Sequence, residues 1–144
     1  MRKTRIPAHL RKRVRASSPL RCAYCHSPEA LLGVRLEVDH IIPAGAGGAT
    51  EFANLCLICS RCNSHKYQRT HARDPRTGRR VRLFHPRRQK WNTHFAWSED
   101  GTHLIGLTPC GNATVAALNM NDVLIVQLRQ MWMEDGRHPL QTGE

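Results

Sequence analysis

Ile6, Leu10 and Val14 recur at a four-residue step, on one face of a helix otherwise built from Arg5, Arg11, Lys12, Arg13 and Arg15, with Pro7 near its first turn. Residues 1–21, which also hold Arg2, Lys3 and Arg21, are expected to form a basic amphipathic helix that packs through this stripe. At Leu36-Glu37-Val38-Asp39 the period drops to two, the alternation of a strand. It stops at Ile42-Pro43, before the glycine-rich run Ala44-Gly45-Ala46-Gly47-Gly48-Ala49. The chain returns through Asn54-Leu55-Cys56-Leu57-Ile58, a second short strand, and enters a helix near Ser60 that must end before Pro75. Residues 22–72 thus read as a core of order strand, loop, strand, helix.

Residues 73–90 hold little apolar material. Arg73, Arg76, Arg79, Arg80, Arg82, Arg87 and Arg88 are interrupted by Asp74-Pro75, Thr77-Gly78 and His85-Pro86, the pattern of an extended basic linker. Over 91–144 globular patterning resumes. His94-Phe95-Ala96-Trp97 and Thr102 to Leu107 flank Asp100-Gly101 as a hairpin would. Helices are expected at Thr114 to Leu118 and from an Asn121 or Asp122 cap to about Glu134, stopped by Gly136 and Pro139. The fold class expected is α+β, a small metal-stabilised core with an N-terminal helix and a C-terminal extension of hairpin plus helices.

Charge narrows the partners. Twenty-two Lys+Arg against eleven Asp+Glu give a formal +11 and a pI near 10.3, the electrostatic footprint of a chain that meets nucleic-acid phosphates. No apolar run approaches the ~18 residues of a membrane span, and the basic N-terminus lacks a secretion signal's apolar core, so a cytoplasmic protein with no membrane partner is expected. Six cysteines in a reducing compartment point away from a disulfide framework.

Two C-x-x-C pairs, Cys22/Cys25 and Cys59/Cys62, supply four thiolates, the ligand set of a closed structural Zn2+ site. Cys56 stands at C-x-x-C spacing from Cys59 but lies in an apolar strand and reads as a core thiol; Cys110 has no evident partner. Between the pairs lie Asp39-His40 and Asn54, and Asn63 follows Cys62 directly. Phosphodiester hydrolysis needs a base for water and a cation for developing charge. His40 can be that base, and the oxygens of Asp39 and Asn63 suit Mg2+ or Mn2+. Adjacent residues on a strand point to opposite faces, so the chain must bend at His40, and the Asn54 amide is suited to holding that bend.

These residues resemble the HNH endonucleases with a ββα-metal core, in the variant whose last signature residue is asparagine. Asn54 stands fourteen positions after His40 and Asn63 nine after Asn54. The resemblance covers about residues 1–70 and implies that His40 is the general base, that Asp39 and Asn63 bind the catalytic divalent ion, and that Asn54 constrains the loop. It also implies a phosphate contact from Lys66, one helical turn beyond Asn63. Arg61, Arg69, Arg79, Arg80 and Arg82 are further candidates for nucleic-acid contact. The function expected is metal-dependent cleavage of DNA, with a zinc-stabilised non-catalytic nucleic-acid-binding module as the competing reading. No obligatory protein partner is evident; a double-strand break would need a homodimer or two encounters.

Overall fold

The computed structural model describes residues 5–139, so Arg2, Lys3 and residues 140–144 of the expected terminal segments lie outside the described residues. Two compact units make up the chain, one comprising residues up to 70 with 85–88, the other 71–84 with 89 onward.

In the first unit, α1 (Ala8–Ser17) begins after Pro7, whose carbonyl accepts from the amides of Leu10 and Arg11 at 3.1 Å. Its apolar stripe faces inward: Val14 is fully buried, Ile6 nearly so and Leu10 half-buried. This face packs on β1 (Glu37–His40), β2 (Leu55–Ile58) and the 3-10 turn at Phe52–Asn54. The two strands pair antiparallel, with Glu37 opposite Ile58, Asp39 opposite Cys56 and His40 opposite Leu55. All four residues of β2 are buried, which explains its continuous apolar run. The seven-residue α3 (Ser60–Lys66) follows and completes the ββα order.

A short α2 (Glu29–Leu32) carries the strongest ionic tie in this unit. Glu29 accepts two hydrogen bonds at 2.9 Å from the Arg15 guanidinium and a third, at 2.8 Å, from the amide of Leu36. It therefore fastens α1 to the residue that leads into β1. These donors, Arg15 first, hold the Glu29 carboxyl down at about 2.

In the second unit the segment expected to be a linker, 73–90, contains a strand. β3 (His71–Arg73) and β4 (Arg80–Arg82) pair antiparallel, Ala72 opposite Val81. Asp74, buried, closes the turn: its carboxylate accepts from the Arg76 amide at 2.9 Å and the Thr77 hydroxyl at 3.0 Å, while Gly78 takes φ +74°. The arginines mask a period-two pattern in which Ala72 and Val81 supply a half-buried face, packed toward α5 (Pro109–Ala117).

The rest of this unit holds α4 (Trp91–His94), the hairpin β5 (Phe95–Trp97) and β6 (Leu104–Gly106), and α6 (Val123–Glu134). α5 begins at Pro109, five residues before the expected Thr114, because Thr108 caps it by accepting from the Gly111 amide at 3.0 Å. Asp122 caps α6 through the Leu124 amide. Arg129 on α6 is fully buried, its guanidinium donating to the carbonyls of Thr102 and Met120 at 2.9 and 2.7 Å. No helix among the described residues is long and apolar enough to cross a membrane.

Because the folded pKa of Glu29 lies below its ordinary 4.5, the carboxylate stabilises the fold above that pH and loses its effect as pH falls toward about 2. Glu29→Gln should therefore lower stability by roughly 1 kcal/mol at pH 7. The gap to wild type should shrink below about pH 4.5 in urea melts; a pH-independent gap would contradict the ionic tie.

Candidate functional site

Cys22, Cys25, Cys59 and Cys62 bring their four sulfurs within 4.8 Å of one another, all buried. Metal–sulfur bonds of ~2.3 Å in a tetrahedron imply sulfur–sulfur edges of ~3.8 Å. The Cys25 and Cys59 sulfurs stand 3.8 Å apart, so the pocket already has the dimensions of a tetrathiolate site. Local backbone bonds build it. The Cys22 amide donates to the Ser27 carbonyl, the Ala23 amide reaches the Leu57 carbonyl on β2, and Cys59 caps α3 by accepting from the Cys62 amide at 3.4 Å.

Four thiols this close cannot all ionise alone. Burial pushes Cys22 up, thiol hydrogen bonds, that of Cys22 foremost, push Cys62 up, and those same bonds pull Cys25 down. A cation at the centre removes that conflict. The cluster could therefore hold a metal such as zinc. Cys56 is outside it, a buried thiol pushed up to about 12 by desolvation.

Arg61, half-buried, lies against this cluster. Its guanidinium lies 3.9 Å from the Cys25 sulfur. Burial works against its charge, yet the sulfurs of Cys62, Cys25, Cys59 and Cys22 hold its pKa above the ordinary value. Placed inside the second C-x-x-C turn, it is positioned to offset thiolate charge.

The second cluster lies where β1 meets α3. His40, buried, shares a 2.8 Å hydrogen bond through Nε2 with the Thr50 hydroxyl. Asn54 holds the turn beyond it. Its Oδ1 accepts from the Ile42 amide and its Nδ2 donates to the carbonyls of Ile42 and Ala49, each at 2.9 Å, while its own carbonyl accepts from Ile41 at 2.8 Å. The glycine run serves the same turn: Gly47 takes φ +90°, and a Cβ on Gly48 would collide with the Ile42 carbonyl.

Asn63 sits on the inward face of α3, buried, and its Nδ2 donates to Glu37 Oε1 at 3.1 Å. A carboxylate can only accept, so this contact turns the amide nitrogen toward Glu37 and the oxygen away. That oxygen, Oδ1, is buried and meets no hydrogen-bond donor. Glu37 and Asp39 alternate on β1 and share a face, so Asn63 packs on the face that carries Asp39. A buried acceptor left without a donor costs about 1–3 kcal/mol unless something electropositive meets it. Asp39, half-buried on the same face of β1, offers the other hard oxygen of the expected pair.

Lys66, expected to reach a phosphate, is instead buried, and its ammonium donates to the His40 carbonyl at 3.1 Å. It lies three residues after Asn63, on the same helical face, and that face is turned to β1. Arg69 is exposed, donating to the His65 carbonyl at 2.6 Å; Arg79, Arg80 and Arg82 are exposed on the β3–β4 hairpin of the second unit. Glu37 and Thr50 were not singled out by sequence reasoning. The position of Glu37, two before Asp39 and so on its face, was a usable signal; for Thr50 there was none.

The family model for HNH endonuclease matches residues 22–69, a stretch that begins at the first cysteine of the cluster and runs past Asn63 and Lys66. The match covers this stretch as an HNH endonuclease domain, and the same stretch holds the four-cysteine cluster able to hold a metal. Comparison with curated proteins and with solved structures gave no match.

Elemental analysis of the purified protein should find one firmly held metal ion per chain at the sulfur cluster. Cys62→Ser should lose it together with the cooperative melt, since ~10–16 kcal/mol of binding energy is as large as the whole ~5–15 kcal/mol net stability of a domain. Cys56→Ala should keep the metal; a metal-free wild type with a normal melt would show the four sulfurs to be ordinary core thiols.

Proposed function

We propose that the chain is a metal-dependent endonuclease that hydrolyses phosphodiester bonds in DNA, with His40 as general base and Asp39 and Asn63 as holders of a divalent cation. The observation that carries the reading is the buried, donor-less Oδ1 of Asn63 on the Asp39 face of β1; the adjacent strand residue, His40, has its ring hydrogen-bonded to Thr50.

With the Thr50 hydroxyl accepting from Nε2–H, the imidazole keeps its proton there and carries its basic lone pair on Nδ1. His40 then takes a proton from water as that water attacks the phosphorus in line, and the 3′ oxygen leaves, giving 5′-phosphate and 3′-hydroxyl ends. Mg2+ or Mn2+ bound by Asp39 and Asn63 would polarise the scissile phosphate and stabilise charge on the leaving oxygen. Glu37 orients the Asn63 amide, Lys66 holds the His40 backbone, and Asn54 keeps the turn from relaxing into regular strand. In the sulfur cluster Zn2+ is the ion of choice, with no position open for water and hence no part in the chemistry.

A nucleic-acid substrate is supported by the formal +11 charge and the exposed Arg69, Arg79, Arg80 and Arg82, which serve as backbone contacts in this reading, and DNA is the nucleic acid that the HNH resemblance implies. Reduced cysteines suit a cytoplasmic enzyme. One such site acts on one strand at a time, so a double-strand break takes two protomers or two encounters.

Supercoiled plasmid with protein and Mg2+ should be nicked. His40→Ala should reduce the rate at least ~100-fold, the usual worth of a positioned base, while retaining the structural metal and DNA affinity measured in Ca2+. A wild-type protein that binds duplex but never cuts it in Mg2+ or Mn2+ would contradict the catalytic reading and leave a non-catalytic binding module.

A further inference from the structure

Beside the start of β1 the first unit has an open trough of about 460 Å3 that the reaction does not use. α1 supplies Arg11, Lys12 and Arg15 to its wall, the lead-in to β1 supplies Arg35, and Glu37 closes one end. Four cations around one small concavity are costly unless something anionic compensates them. Among the described residues Arg15 is answered by its bidentate bond to Glu29, a carboxylate that Arg35 also acts on at longer range. Arg11, Lys12 and Arg35 are exposed, with no hydrogen bond or ion pair from their side chains to any described residue.

We propose that this trough is a binding subsite for the nucleic-acid backbone next to the scissile phosphate, with Arg11, Lys12 and Arg35 as its phosphate contacts. The proposal rests on the nuclease reading and extends it to how the strand is held. Guanidinium groups suit phosphate because they present paired donors in a plane, and Arg15, held in place by Glu29, stiffens the wall between Arg11 and the strand.

Position ties the trough to the catalytic centre. Glu37 lines its end and also accepts the Asn63 amide, so the two sites share one side chain. From Glu37 to Asp39 is two strand residues, ~6.8 Å at ~3.4 Å each, so a backbone phosphate in the trough lies near the bond being cut.

The test is duplex binding in Ca2+ across 50–200 mM salt, comparing wild type with the triple variant Arg11→Gln, Lys12→Gln, Arg35→Gln. These exposed substitutions keep the side-chain stems and should leave metal content and melting temperature unchanged. Each lost phosphate contact lowers the steepness of log K against log salt by ~0.9, so the triple variant should lose about 2–3 in slope and at least ~10-fold in affinity. In Mg2+ the defect should appear as a raised KM rather than a lowered kcat. Should the triple variant fail to fold, Arg35→Gln alone should lower the slope by ~0.9.

An unchanged slope overturns the proposal. So does a trough whose neutralisation abolishes submillimolar binding of inorganic phosphate, or of phosphatidylserine vesicles, while duplex affinity stays intact. The two readings also fail separately. A wild type that never nicks, paired with a triple variant that still loses duplex affinity, removes the catalytic reading and leaves the subsite; a wild type that nicks with no change of slope in the variant does the reverse.

Discussion

Everything in the first unit is hung from four sulfurs within 4.8 Å of one another. A helix of seven residues has no stability of its own in water, so α3 depends on what fixes its ends. Its N-terminus is fixed by Cys59, which is at once a member of the cluster and the cap of the helix, and by Cys62 one turn later. From that anchor the inward face presents Asn63 to Glu37 and Lys66 to the carbonyl of His40. The sulfur cluster thus sets the distance between helix and strand on which the oxygen donors and the imidazole depend, without touching either.

A second constraint acts on the turn after β1. Asn54 spends all three of its side-chain bonds on the backbone of that turn, and Gly48 leaves room for the Ile42 carbonyl. Ordinary strand geometry would send Asp39 and His40 to opposite faces for good. The clamped turn begins directly after His40, and the bond to Thr50 fixes its ring. Polar groups of this kind are worth more for the single geometry they specify than for net stability, because each is satisfied only in one arrangement.

How much of this was legible beforehand follows from the nature of each signal. The C-x-x-C pairs, the Asp39-His40 step and the spacing to Asn54 and Asn63 are local patterns, and they led to the HNH domain and its ββα order before any coordinates. Contacts between elements distant in sequence were not legible. Lys66 reads as a cation for phosphate until the helix is rotated onto β1, and Arg61 reads the same way until the thiolates are seen around it. In the 71–84 hairpin, charge hid structure: Ala72 and Val81 are too small and too few to register as an apolar face among so many arginines. Thr108 and Pro109 carry the start of α5 as cap and first residue, a polar signal fainter than the apolar residues from Thr114 onward. The trough beside α1 needed the packed helix, because Arg35 comes from a segment twenty or more residues away from Arg11 and Lys12.

The central claim is that Asn63 Oδ1 and the Asp39 carboxylate face a common divalent ion next to His40. Anomalous diffraction from crystals soaked in Mn2+ tests it without reference to turnover. A manganese peak within ~2.1–2.4 Å of both oxygens, absent from an Asn63→Ala crystal and separate from the metal at the four cysteines, is the expected result. Manganese found only elsewhere on the surface, with Asn63 Oδ1 filled by a water or a protein donor, would contradict it.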